Sequence, residues 1–124
     1  MPAYGTLTPP PSIYQGDSYL CFNNETVPAG TKSERIAIGI VPGSINNSLS
    51  VEVVFGGTPG TFGVDLETSD SDVAADYVKL GSISSVSASN VCRLEQTPVA
   101  ARFARLSMTT LGNSVSATAK ITSH

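Results

Sequence analysis

A chain of 124 residues, 40% hydrophobic and only 14% charged, is long enough to bury one core and falls within the size of one domain. Seven Lys and Arg against ten Asp and Glu leave a net charge of -3, which removes the clustered positive charge that nucleic-acid binding needs. No apolar run approaches the ~20 residues of a membrane span and no N-terminal stretch reads as a signal peptide, so the expectation is synthesis in a cytoplasm and no membrane partner.

The first seventeen residues, MPAYGTLTPPPSIYQGD, differ from the rest. Pro2, Pro9, Pro10 and Pro11 lack the N–H of a sheet donor and favour an extended polyproline-like path, so residues 1–17 are expected to form an arm and residues 18–124 the folded domain. Tyr4, Tyr14 and the nearby Tyr19 give the arm large rings of the kind that anchor a segment to a partner.

From Ser18 strand and turn signals alternate. SYLCF (18–22) is followed by the turn-rich NNETVPAGT. RIAIGIV (35–41) puts Ile36, Ile38 and Ile40 on one face with Ala37 and Gly39 opposite, and PGSINNS breaks it. LSVEVVF points Leu49, Val51, Val53 and Phe55 inward. TFGVDLET does the same with Phe62, Val64 and Leu66, while Asp65 and Glu67 face out; the intervening GGTPG predicts a hairpin between these two strands. SDSDVAAD leads, with one helical turn expected near Val73 to Tyr77, into DYVKLGSI, where Val78 and Leu80 alternate with Tyr77 and Lys79. VCRLE (91–95) is short. RFARLSMT points Ala104, Leu106 and Met108 one way and Phe103, Arg105 and Ser107 the other. After LGNS, SVSATAKIT directs Val115, Ala117, Ala119 and Ile121 inward. Seven or eight short strands at near-regular spacing predict an all-β protein, an antiparallel β-sandwich of jelly-roll type carrying a Pro-rich N-terminal arm.

No catalytic constellation emerges. The only histidine is His124, so a Ser–His or Cys–His nucleophile has no base in the folded region. Cys21 and Cys92 with one terminal histidine do not supply four zinc ligands; buried thiols are expected, and later pairing within or between chains stays open. Asp65, Glu67, Asp70, Asp72 and Asp76 are dense enough to hold calcium, to form a solvated acidic rim or to meet a basic partner, but EF-hand spacing fails because Gly81 stands where the bidentate Glu belongs. Asp65 and Glu67 share a strand face, as a glycosidase pair would, with nothing beside them in sequence to raise one pKa. The expectation is therefore a protein without enzymatic activity, metal or cofactor.

Phe103 on the arginine face admits three explanations: burial beneath the arm, stacking with Arg102 or Arg105, or a patch against another subunit. A Ser/Thr/Gly-rich sandwich with a Pro-rich arm, GTFGVDLETSDSD at 60–72, VAARFARLSMTTL at 99–111 and SVSATAKI at 114–121 resembles small virion proteins of tailed bacteriophages, nearest to their jelly-roll decoration or cement proteins. The resemblance covers roughly residues 50–122. It implies a capsid-surface location, contacts with the major capsid protein or other virion proteins through arm and sandwich edges, and association as dimers or trimers. Tyr4, Pro9, Pro10, Pro11, Tyr14, Phe103 and Arg105 are the candidate interaction residues, with Pro2 to Ser12 as the clamp. Alternatives are a neck, tail or fibre-base protein, or a carbohydrate-binding module. The segment ARFARL resembles the late strand of discoidin-like domains, although the chain has no Trp on which to stack a sugar.

Overall fold

The computed structural model describes residues 9–14, 16–39, 48–85, 91–96 and 101–123, by backbone alone at 74, 84–85 and 91–96. Ten strands are described: β1 Ser12–Ile13, β2 Ser18–Glu25, β3 Thr31–Lys32, β4 Ile36–Ile38, β5 Leu49–Phe55, β6 Phe62–Ser69, β7 Val78–Ser85, β8 Val91–Gln96, β9 Phe103–Leu111 and β10 Ala117–Ser123. One sheet runs β1-β4-β9-β6-β7, with β3 also on β9, and the other runs β2-β10-β5-β8. Taking β3 and β4 as one interrupted strand, the antiparallel pairs nest: β2 with β10, β3/β4 with β9, β5 with β8, and β6 with β7. A long antiparallel ribbon rolled onto itself makes this pattern, the jelly roll expected from strand number and spacing.

Period-two patterning builds the core between the sheets. Leu49, Val51, Val53 and Phe55 of β5 meet Ala117, Ala119 and Ile121 of β10 in one sheet; Phe62, Val64 and Leu66 of β6 with Ala104, Leu106 and Met108 of β9 line the other, and all are buried. The expected inward faces of these four strands are thus correct.

Two expectations change. LSVEVVF and TFGVDLET do not form a hairpin: β5 pairs β10 and β8, whereas β6 pairs β9 and β7. The GGTPG segment arches between the sheets, and the Phe55 and Phe62 rings on either side of it meet across the core at 4.8 Å between centroids. The hairpin partner of β6 is β7, joined through SDSDVAAD and a single 3-10 turn at Ala74–Asp76. Secondly, the arm does not begin the fold at Ser18. Ser12 and Ile13 pair in parallel with Ala37 and Ile38, and Ile13 is buried in the core. The turn that follows is tied down: Asp17 N–H donates to Tyr14 O, Gly16 N–H to Ser123 O, and Ser123 N–H to Asp17 O. Gly16 takes φ +92° there, a left-handed conformation suited to glycine.

Candidate interaction surface

The outward face of the first sheet collects most of the candidate residues at its β1 edge. Along one row, Ser12 lies beside Ala37 and Ala37 beside Phe103, which in turn faces Ser69 of β6. Pro11 O accepts from Ala37 N–H at 2.8 Å, and Gly39 N–H donates to Ile13 O at 2.7 Å. One row further, the Tyr14 ring fills the space where a Cβ on Gly39 would stand, which is why glycine suits this position. Tyr14 nevertheless leaves 54% of its surface exposed. Phe103 is half-buried, and the Arg102 guanidinium carbon sits 5.9 Å from its ring centroid. The stray aromatic thus has the Arg102 cation beside its ring. Pro9 is exposed and Pro10 and Pro11 are half-buried at the same edge; Tyr4 lies outside the described residues.

Arg105 is placed differently. Although it points out from the sandwich core, it is only 3% exposed. Its Nε donates to Glu67 Oε1 at 2.7 Å, directly across from it on β6, and its guanidinium lies 4.2 Å from the centre of the Tyr77 ring. Lys32 Nζ reaches Glu67 Oε2 at 3.5 Å and Ser107 Oγ at 3.3 Å. A lid of Tyr77 therefore covers the arginine, and Arg105 is a structural residue, not a surface anchor.

A second charge cluster lies where β3 gives way to β4. The register against β9 slips by one between Lys32 and Ile36, so Ser33, Glu34 and Arg35 form a bulge. Ser33 Oγ accepts from Leu106 N–H at 2.8 Å, which repairs the ladder. Glu34 is completely buried and accepts from Arg35 Nη1 at 2.6 Å and from the Arg35 backbone N–H at 3.1 Å. Arg35 Nε lies 3.0 Å from both Asp72 carboxylate oxygens. Hydrogen bonding to Asp72 first, and to Glu34 as well, holds the Arg35 proton above even its usual high value against the opposing effect of burial. Asp72 thus ties the acidic segment down over the sheet, and Asp76 accepts from Ser71 Oγ at 2.7 Å. Three of the five carboxylates of the acidic segment, Asp72, Glu67 and Asp76, are thus engaged by Arg35, by Arg105 and Lys32, and by a serine. Among the described residues no three His, Cys, Asp or Glu side chains converge as a metal site. Glu34, Arg35 and Tyr77 were not singled out from sequence; charges placed directly before the apolar IAI run were the available signal.

Cys21 is fully buried, and burial pushes its thiol up to about 12, outweighing hydrogen bonds with Ser33 and Ile121. Burial also raises the Tyr19 phenol, helped by Cys21 and Glu34 nearby. The two cysteines stand at opposite edges of one sheet. Cys92 pairs with Val53, Val53 with Ala119 and Ala119 with Phe22, three strand steps of ~4.8 Å each, far beyond disulfide reach. An intrachain Cys21–Cys92 bond is excluded by that order.

The described surface therefore offers an aromatic corner built from Tyr14, Phe103 and Arg102 on a floor of Ser12, Ala37 and Gly39, next to the root of the arm. No protein-family model matches the chain, and no curated protein sequence matches it.

Proposed function

We propose that this protein is a non-enzymatic virion structural protein, a capsid decoration protein that covers and holds neighbouring shell subunits. The observation that carries the reading is the anchorage of the arm. Pro9–Pro11 lead into an edge strand locked by backbone hydrogen bonds to β4, with Tyr14 exposed beside it. A tether rooted in a rigid sandwich transmits load to the fold, and rings at its base add apolar contact area at small entropic cost. The resemblance of the 60–72 and 99–121 segments to phage decoration proteins supplies the partner, the major capsid protein. Repeated by shell symmetry, an interface of roughly 800 Å² per partner is enough for avid cohesion.

The test is immunogold labelling and mass spectrometry of particles purified from the culture that makes the chain. Regular label over the head surface is the expected result. Label confined to one vertex or to the tail would move the protein to the neck or tail, and its absence from every particle overturns the virion role. A glycan array on the same preparation addresses the carbohydrate alternative: selective sugar capture would replace the structural reading.

A further inference from the structure

The edge of a sheet is a template for another chain unless the strand there is short, bent or bulged. Most of the described edges are protected in one of these ways. β1 and β3 have two residues each. β7 holds an extra residue, Leu80, against β6, and β2 shifts register twice against β10. β8 differs from all of them. It ends the second sheet, and it pairs β5 from Leu49–Gln96 to Val54–Val91 without a shift. Among the described residues no strand pairs with its other side. Its backbone is therefore a straight, regular edge of the kind that accepts one more strand.

The sequence of β8 selects its own copy as that strand. Arg93 and Glu95 are the only charged residues between Lys79 and Arg102. They stand in register with Glu52 and Ser50, which occupy the outer face of β5 between the buried Leu49, Val51 and Val53. Arg93 thus extends a row that already runs from Lys120 to Glu52, whose charged groups approach to 3.9 Å, whereas the residue across from Glu95 is an uncharged serine. A two-fold axis perpendicular to the sheet sets a second β8 antiparallel to the first. Outer face then meets outer face only if the axis passes through a residue position, because a one-residue slip exchanges the faces. Centred on position 93 the axis opposes Arg to Arg, and centred on 95 it opposes Glu to Glu. Centred on Leu94 it opposes Arg93 to Glu95 of the second copy and Glu95 to Arg93 of the second copy. Facing opposite charges stabilise a strand pair and facing like charges oppose it, so one register is favoured. The row across the seam then reads Lys120, Glu52, Arg93 and the second copy's Glu95, alternating in sign throughout.

We infer that the β8 edge is a homodimer interface, in which two copies join β8 to β8 about a two-fold axis at Leu94 and merge their second sheets into one sheet of eight strands. The inference does not rest on a virion location and is tested on the free protein.

Sedimentation equilibrium of the full chain should show a monomer–dimer equilibrium. Amide hydrogen exchange at residues 92–96 should slow as concentration rises into the dimer range, a readout on the unaltered chain that needs no variant. Glu95→Arg faces Ser50 within its own chain, and Arg93→Glu is made together with Glu52→Gln so that no like-charge pair forms inside the fold. Each should weaken self-association at least tenfold with an unchanged far-ultraviolet dichroism spectrum, while Glu52→Gln alone associates as the wild type does. An equimolar mixture of the two weakened variants should recover the wild-type affinity, because every facing pair across the seam is again of opposite sign. A wild type that stays monomeric, a trimer or open-ended chain, exchange at 92–96 that ignores concentration, or a mixture no tighter than its components would each overturn the inference. Dimers in solution with no label on particles would leave this inference standing and remove the virion role.

Discussion

At the scale of single residues, the buried charges and the thiol carry the sharpest expectations. Arg105 sits between Glu67 and the Tyr77 ring with almost no solvent contact. Removing it leaves Glu67 without its closest cation, a change that costs ~3 kcal/mol when a largely buried ion pair is broken from one side. Arg105→Ala should lower stability by about that amount in urea denaturation. Combining it with Glu67→Ala should cost at least ~1 kcal/mol less than the sum of the single changes, the signature of a direct pair. Cys21 gives a pH dependence whose sign follows from its surroundings. Folded, the thiol holds its proton up to about 12, against a usual value of 9.0 that the unfolded chain regains. The contribution is intact below pH 9 and is lost as pH rises, at ~1.4 kcal/mol per pH unit, until the folded thiol also ionises. Denaturation midpoints of the wild type should therefore fall more steeply between pH 9 and 12 than those of Cys21→Ala. Equal slopes would show that Cys21 is not sealed. Arg105 also marks where residue-level patterning stops short. Alternation correctly turned it away from the core, but the Tyr77 cover comes from a segment almost thirty positions earlier, and no local pattern announces it.

At the scale of elements, the strands were legible wherever apolar and polar residues alternate against a single buried face. β5, β6, β9 and β10 satisfy that condition, and their inward residues are those that the period of two selects. β7 is harder because its pairing with β6 is interrupted: Leu66 faces Gly81 but Glu67 faces Lys79, so Leu80 is an extra residue. That bulge, with Lys79 beside it, roughens an edge strand, and Val78 and Leu80 are left exposed despite their apolar side chains. The three prolines before β1 make it look like part of the arm, yet a two-residue strand at a sheet edge needs few donors and tolerates proline just outside it. Ile13 is the side chain that makes this strand part of the core. Ile13→Ala should cost ~2–4 kcal/mol by urea denaturation. A cost near zero would return residues 12–17 to the arm. Any deletion meant to test the arm alone must therefore end before Pro9, since removing residues 1–17 also removes a core side chain.

At the scale of the whole molecule, what could be foreseen was the class of fold, and what could not was the partition of strands between sheets. A five-residue loop rich in glycine, such as GGTPG, closes a hairpin or arches between layers equally well, and alternation reports which side is buried without naming the neighbour. The choice is made by pairings such as β2 with β10, which join residues near positions 20 and 120. The candidate surface had the same fate. Tyr14 and Phe103 each stood out by chemistry, but only the parallel pairing of β1 with β4 brings them onto one face.

The nested order has a bearing on how the protein is made. β9 and β10 are not edge strands: β9 lies between β4 and β6, and β10 between β2 and β5. While a ribosome is still synthesising residues 103–123, each layer of the nascent chain is split into halves that no strand pairing joins. The two strands latest in order among the ten are thus the keystones of both layers, and the sandwich closes in one late step instead of growing outward from a finished beginning.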